Sequence, residues 1–299
     1  MSDEEAHKPT KPFLKWAGNK FRIIGRVDEV IAEHQGGRSK YIEPFGGSGA
    51  VAINVARRFT GLKTYAEFNP ELVDLMRAIK EDLPALIDKT EALFSPKNND
   101  AACYYALRDE FNDYVKSGET GNVRKSALFI YLNRHCFNGL CRYGPNGFNV
   151  PFGRYAKTVA PIDEMKAFAS LMKDVEVVGP NSFEETMKKA DAETLVYCDP
   201  PYFPLTATSN FTQYSDKSGF GPEMQEKLAV AAAQYAMRGA VVLISNHDVS
   251  ACRELYEKVA KSHGLKKVAF RDFGVPRFIS SKGKDRGHEA RELIAVFKA

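Results

Sequence analysis

The 299-residue sequence lacks any apolar run near the ~18 residues that cross a bilayer. Its polar start, Met1-Ser2-Asp3-Glu4-Glu5, has neither the basic nor the apolar region of a secretory signal, so no membrane association and a cytoplasmic location are expected. Cysteine is scarce. The five present (Cys103, Cys136, Cys141, Cys198, Cys252) are odd in number and form no CxxC pair, which argues against a disulfide scaffold and a structural zinc site. Internal repeats are missing, and so is the full GxGxxG spacing of dinucleotide binders. Excess charge is small as well. A net charge of +4 and a pI of about 8.6 fall short of the pI above ~9 typical of a dedicated nucleic-acid-binding domain.

What is present has the balance of a globular protein, 44% hydrophobic and 27% charged, with length enough for one large domain or a domain carrying an insertion. Apolar strand segments at 40–43, 63–67, 175–178, 194–198, 240–245 and 293–297 alternate with helical stretches. That pattern predicts an α/β fold with a doubly wound, mainly parallel sheet. A helix is expected over 222–238, with an apolar stripe of Met224, Leu228, Ala231, Ala232 and Tyr235 and a stop at Gly239. Between residues 72 and 166 the strand signal vanishes and helical segments such as 102–115 and 123–134 dominate. This reads as a helical insertion of 73–166 in a domain of 12–72 and 167–299, preceded by a loose tail of 1–11. The insertion closes with an irregular tract, 136–155, rich in glycine, asparagine, aromatics and arginine and too long for a mere connector.

Three motifs carry chemistry. Glu43-Pro44-Phe45-Gly46-Gly47-Ser48-Gly49 follows a strand and opens a helix over 50–58; residues without side chains there let backbone approach a ligand. Glu67 ends the next strand, about 20 residues on, where a carboxylate usually grips ribose hydroxyls. Glu43 would oppose a pyrophosphate, so a nucleoside cofactor other than a dinucleotide is favoured, although such turns are often purely structural. Asp199-Pro200-Pro201-Tyr202 follows an apolar strand, which places a carboxylate at the carboxyl end of a buried strand. The prolines remove donors and stiffen the backbone, so an acid and a fixed carbonyl can accept both hydrogens of a planar amino group beside a stacking tyrosine. A plain proline turn explains the prolines but not the acid. Phe13-Leu14-Lys15-Trp16-Ala17-Gly18-Asn19-Lys20 brings the single tryptophan and two lysines to one loop; alone it is equally a core plug with surface charges.

In this order the motifs resemble the Dam-type DNA adenine methyltransferases, AdoMet-dependent enzymes that methylate the exocyclic amine of adenine in GATC. The resemblance covers most of the chain. It includes Asn138-Gly139-Leu140-Cys141-Arg142-Tyr143 and Phe148-Asn149-Val150-Pro151-Phe152-Gly153-Arg154-Tyr155, which look like that family's recognition segment, and Ser245-Asn246-His247 after a later strand.

The resemblance implies a cofactor, S-adenosyl-L-methionine with S-adenosyl-L-homocysteine as product, held by Trp16, Lys20, Glu43, Pro44, Phe45, Gly46, Gly47, Gly49, Glu67 and Asp199. It implies Asp199, Pro200, Pro201 and Tyr202 as the catalytic clamp on adenine and double-stranded DNA as partner, met by base flipping. Asn138, Leu140 and Arg142 match the base-reading segment, Phe137 an aromatic that fills the gap left by the extruded base, and Lys15 a lysine that contacts guanine. Arg134 and Asn149 are counted with the DNA contacts, and Arg277 and Lys282 with phosphates. No metal is implied, His247 is expected to be structural, and the Cys136, Cys141 and His135 group reads as packing. Asn19 stands where the family usually has a second glycine, and Phe137 lacks a hydroxyl that some relatives carry. From the residues alone a cytosine amine, an RNA adenine or a protein amide would fit the same clamp, and so would a non-catalytic DNA-binding descendant. A bacterial or phage-encoded monomer is the expected form.

Overall fold

The computed structural model describes residues 8–204, 220–276 and 289–299. Arg277 and Lys282 lie outside the described residues. Among the described residues nine strands form: β1 (Lys40–Glu43), β2 (Lys63–Ala66), β3 (Tyr143–Gly144), β4 (Gly147–Phe148), β5 (Glu176–Val178), β6 (Thr194–Cys198), β7 (Val241–His247), β8 (Ala269–Pro276) and β9 (Glu289–Phe297). The fold is α/β with a mostly parallel central sheet of seven strands, all but β3 and β4.

The chain divides into two compact units, Met1–Gly25 with Gly46–Arg57 and Glu67–Pro180, and Arg26–Phe45 with Arg58–Ala66 and Asn181–Ala299. In the second unit six strands run in the order β2-β1-β6-β7-β9-β8. The β1, β2, β6 and β7 pairings are parallel (Ile42 opposite Thr64 and Val196, Val196 opposite Val242), while β9 is antiparallel to both β7 and β8. Parallel strands covered on both faces read as unbroken apolar runs, and all five residues of β6 are buried. Its core joins Ile42, Val196, Val242, Ile244 and Phe297 to Leu228, Ala232 and Ala236 of helix Pro222–Met237. Pro222 opens that helix, where its missing N–H costs nothing, and Gly239, at φ 97°, follows its end. Leu228 and Ala232 of the expected stripe are fully buried, and Met224, Ala231 and Tyr235 pack at its margin.

The first unit is mainly helical. Helices Pro70–Glu81, Leu83–Leu93, Ala101–Ser117, Val123–His135 and Ile162–Leu171 follow the side-chain caps Asn69, Asp82, Asp100 and Asn122 and, for the last helix, Pro161. Val123–His135 is buried along nearly its whole length, from Lys125 to Asn133, and so forms the centre of the unit.

Three local features depart from the sequence expectation. The 136–155 tract contains a short hairpin, β3 paired with β4, too brief for a period-2 signal to register. Strand β8 presents exposed Arg271 and Asp272 at the edge of the sheet, so its polar pattern hid it; charge on an edge strand blocks pairing with other chains. The helix expected over 50–58 is a single α-turn, Ala52–Val55, continued as a 3-10 turn, Ala56–Arg58.

Candidate active site and nucleic-acid interface

In the first unit the glycine turn is closed by Gly49 N–H donating to the Gly46 carbonyl at 2.8 Å, and Ile53 N–H then reaches the Gly49 carbonyl at 3.1 Å, which starts the helix. Gly47 has φ 49°, and a Cβ there would lie 2.9 Å from Trp16 Nε1, so the indole lies directly on backbone that tolerates no side chain. Glu67 accepts three backbone N–H groups, from Gly47 (2.9 Å), Phe68 (2.9 Å) and Asn69 (3.0 Å). Burial pushes its carboxyl above the ordinary range while those amides pull it back. Buried Lys20 donates from Nζ to the Gly18 carbonyl at 2.7 Å. Asn19 receives Phe21 N–H at 3.1 Å and donates to the Trp16 carbonyl at 2.8 Å. Its φ of −59° is open to any residue, so glycine is not required at this position. A fixed carboxylate beside a turn without side chains suits a ribose and an amino-acid moiety, and therefore fits an AdoMet-type nucleoside.

In the second unit Glu43 ends β1 fully buried and accepts the Tyr41 hydroxyl at 2.9 Å. Pro44 follows, also buried, and the ring of Phe45 stacks on Phe183 at 5.7 Å. The segment after β6 is held from two elements. Gln225 Nε2 donates to the Pro201 carbonyl at 2.6 Å, and Asn246 Oδ1 accepts Phe203 N–H at 2.8 Å. The Asn246 amide in turn donates to Gln225 at 3.2 Å and to the Tyr256 hydroxyl at 3.0 Å, so these residues form one buried network. His247 Nδ1 lies 2.5 Å from the Phe203 carbonyl. A carbonyl only accepts, so Nδ1 carries the proton and the ring serves the loop. Tyr202 donates its hydroxyl to Glu292 at 3.2 Å and meets His247 edge-on at 4.9 Å. Burial, then the Asp199 charge, pushes that hydroxyl well above its ordinary value, which keeps the ring neutral. Among the described residues no donor reaches the Pro200 carbonyl.

The first unit also gathers the residues expected to face DNA. Asn133 accepts Lys15 N–H at 2.9 Å and donates to the Lys15 carbonyl at 2.7 Å, which fixes the Lys15 backbone. The Lys15 ammonium sits 4.4 Å from the Tyr155 ring centre, and the Tyr155 hydroxyl accepts Asn138 N–H at 2.9 Å. Arg134 donates to the Phe13 carbonyl. Phe137 is half exposed, at 51%, beside Asn138 in the left-handed region at φ 55°. Leu140 is partly buried. Exposed Arg142 directs Nε to Asn149 Oδ1 at 2.7 Å and Nη2 to the Asn149 carbonyl at 3.3 Å. Neither Asn133 nor Gln225 was legible as a site residue, because a polar residue on a helix gives no sign of the loop it will hold.

Not every nearby cation belongs to this surface. Arg124 is paired side-on with Glu110 at 2.8 Å, and Lys125 is buried against Asp74. Cys136 donates to the Leu140 carbonyl at 3.3 Å, and burial pushes its thiol up to about 12. Among the described residues no helix is long and apolar enough to cross a membrane.

His135 ties the central helix to Thr158, just beyond the tract. Its Nδ1 meets the Tyr131 carbonyl at 2.9 Å, its Nε2 the Thr158 hydroxyl at 2.5 Å, and burial lowers it to about 4. Because the folded value lies below the ordinary 6.5, stability is intact above pH 6.5 and falls as pH drops through about 4. Wild type is expected to lose on the order of 2 kcal/mol through this group over that window, after allowance for partial hydration. Urea unfolding at pH 7 and pH 4 checks it: His135→Gln should lessen the acid loss, and an unchanged loss would refute the assignment.

Comparison with known proteins identifies the family. A family model described as D12 class N6 adenine-specific DNA methyltransferase matches residues 16–270. The chain is 40% identical over 294 residues to a DNA adenine methylase of Escherichia coli K12, covering 97% of this chain and 96% of the relative. It is 41% identical over 257 residues to the DNA adenine methylase of Serratia marcescens, covering 85% and 89%. With the DNA adenine methylase of Haemophilus influenzae it shares 37% over 294 residues, covering 97% and 94%.

Proposed function

Because this chain belongs to the D12 class of N6 adenine-specific DNA methyltransferases, and so methylates adenine in DNA, we propose that it does so within double-stranded GATC by extruding the target base. When bound, AdoMet supplies a methyl group on a sulfonium centre. Trp16, Lys20, the Gly46, Gly47 and Gly49 turn and Glu67 would hold it, with Glu67 on the ribose. Residues 73–166 carry target recognition, and 12–72 with 167–299 carry the transfer.

Extrusion costs a few kcal/mol, which stacking on Tyr202 and filling of the gap by Phe137 offset. The adenine amine is a weak nucleophile because its lone pair is delocalised into the ring. Asp199 and the Pro200 carbonyl accept its two hydrogens and favour the pyramidal nitrogen whose lone pair is available. Positive charge then grows on that nitrogen, and an immobile carboxylate and carbonyl stabilise it without reorganisation. The observation that carries this reading is the 199–203 segment held from two elements, where Gln225 engages the carbonyl of Pro201 and Asn246 the N–H of Phe203.

Arg142 reads a guanine edge, and Lys15 another. A guanidinium has five donors, and the two held by Asn149 leave three for a base. The test is transfer of labelled methyl to a GATC duplex and to a scrambled duplex. Label on adenine in GATC alone is expected. Binding of DNA without transfer, or equal labelling of both duplexes, would overturn the reading. Arg142→Ala should lower discrimination at one base pair by ~1 to 3 kcal/mol, and equal losses on cognate and scrambled duplex would refute its role.

A further inference from the structure

The hairpin that carries Arg142 is held by a residue outside it. Asn112 lies on helix Ala101–Ser117, only 6% exposed, and its carboxamide meets the backbone of Phe148 in β4 twice. Phe148 N–H donates to Asn112 Oδ1 at 2.7 Å, and Asn112 Nδ2 donates to the Phe148 carbonyl at 3.1 Å. The amide thus occupies the open edge of β4 as a third strand would, satisfying both groups that β3 leaves unpaired.

Two further features fit this clasp. Gly147 has φ 99°, and a Cβ on it would fall 2.5 Å from Asn112 Oδ1 and 2.7 Å from Cγ, so the close approach of helix and hairpin needs glycine there. The Phe148 ring, buried, meets Phe111 edge-on at 6.1 Å, next to Asn112 on the same helix. On the other side of β4 the ladder continues beyond the strands, because Asn149 N–H donates to the Arg142 carbonyl at 3.0 Å. Asn149 then presents its side-chain oxygen and its own carbonyl to the Arg142 guanidinium, as described above. Asn112 fixes Phe148, the peptide after Phe148 is that of Asn149, and Asn149 orients Arg142.

We infer that Asn112 is a positioning residue for base readout: it sets the direction of the Arg142 guanidinium through the backbone of Phe148 and Asn149, without touching DNA. The inference rests on the proposed role of Arg142 at a guanine. A guanidinium discriminates between bases only if its fork is held in the geometry of the base edge, and freedom in the hairpin lets it reach a neighbouring phosphate equally well. Loss of Asn112 therefore removes sequence preference more than it removes affinity.

Asn112→Asp keeps shape and the acceptor for Phe148 N–H but sets a carboxylate oxygen against the Phe148 carbonyl; Asn112→Ala removes both bonds. Methyl transfer is measured as kcat/KM on a GATC duplex and on duplexes altered at each guanine in turn, for wild type, both Asn112 variants, Arg142→Ala and the Arg142→Ala/Asn112→Ala double variant. The expected result is a roughly tenfold or greater loss of discrimination in the Asn112 variants at the same base pair that Arg142→Ala affects, with AdoMet affinity held. The double variant should lose no more discrimination than Arg142→Ala alone. Discrimination kept at that pair, or an equal fall on every duplex, would overturn the inference. Should wild type methylate all duplexes alike, or Arg142→Ala retain its preference, it is the underlying reading of Arg142 that fails. If neither Asn112 variant folds, amide exchange in wild type decides: the Phe148 N–H should be protected in the free protein, and rapid exchange there would overturn the clasp.

Discussion

Asp199→Ala is expected to lower the rate of methyl transfer by on the order of 10² to 10³, with DNA affinity changed no more than a few-fold. The magnitude follows from the position of the charge. Asp199 directly follows a strand whose every residue is buried, at the start of a segment pinned by Gln225 and Asn246, so its carboxylate should reorganise little as charge grows on the amine. An aspartate on a loose loop would contribute far less, because water would do part of the same work. Tyr202→Phe gives the contrast. It deletes only the hydroxyl that donates to Glu292 and leaves the ring on which a base stacks, so the loss should stay under about tenfold. Single-turnover rates with enzyme in excess separate chemistry from product release. An Asp199→Ala enzyme of near wild-type rate would mean that the carboxylate does not act on the amine.

How far the sequence could be read follows from which interactions are local. Strands β1 and β6 and helix Pro222–Met237 were legible because burial on both faces, or on one stripe, writes itself into neighbouring residues. The motifs were legible for a related reason, since the turn after β1 and the acid after β6 are contiguous in the chain. What escaped were interactions between residues distant in sequence. Asn112 and Phe148 are 36 positions apart, and Lys15 and Asn133 are 118 apart; an asparagine on a helix looks the same whether it faces solvent or holds a hairpin. Strand β8 escaped because its exposed charges broke the apolar pattern. Cations that look like a surface for phosphates include Arg124, engaged by Glu110, and Lys125, buried among acids.

That buried lysine yields the largest expected effect on stability. Lys125 Nζ lies 3.1 Å from Asp74 and 3.8 Å from Glu71, both on helix Pro70–Glu81, and donates to the Glu119 carbonyl at 2.7 Å. All three charged side chains are nearly inaccessible, Lys125 at 3%, Asp74 at 5% and Glu71 at 8%. Lys125→Met keeps the aliphatic volume but leaves two carboxylates in an apolar setting with no cation between them. Breaking a buried pair in this way costs about 3 to 5 kcal/mol, or a fall in melting temperature of roughly 5 to 8 °C for a chain of this size. Desolvation, rather than lost attraction, sets that figure, and the cost should therefore be recoverable. Removing the nearer stranded charge along with the cation, in Lys125→Met/Asp74→Leu, should restore part of the stability, because an apolar pair replaces the 3.1 Å ion pair and only Glu71 is then left without the lysine. The same comparison tells this account from simple cavity formation. If the double variant melts lower than Lys125→Met alone, packing rather than an unpaired anion governs the site, and the coupling energy from the complete cycle would carry the opposite sign.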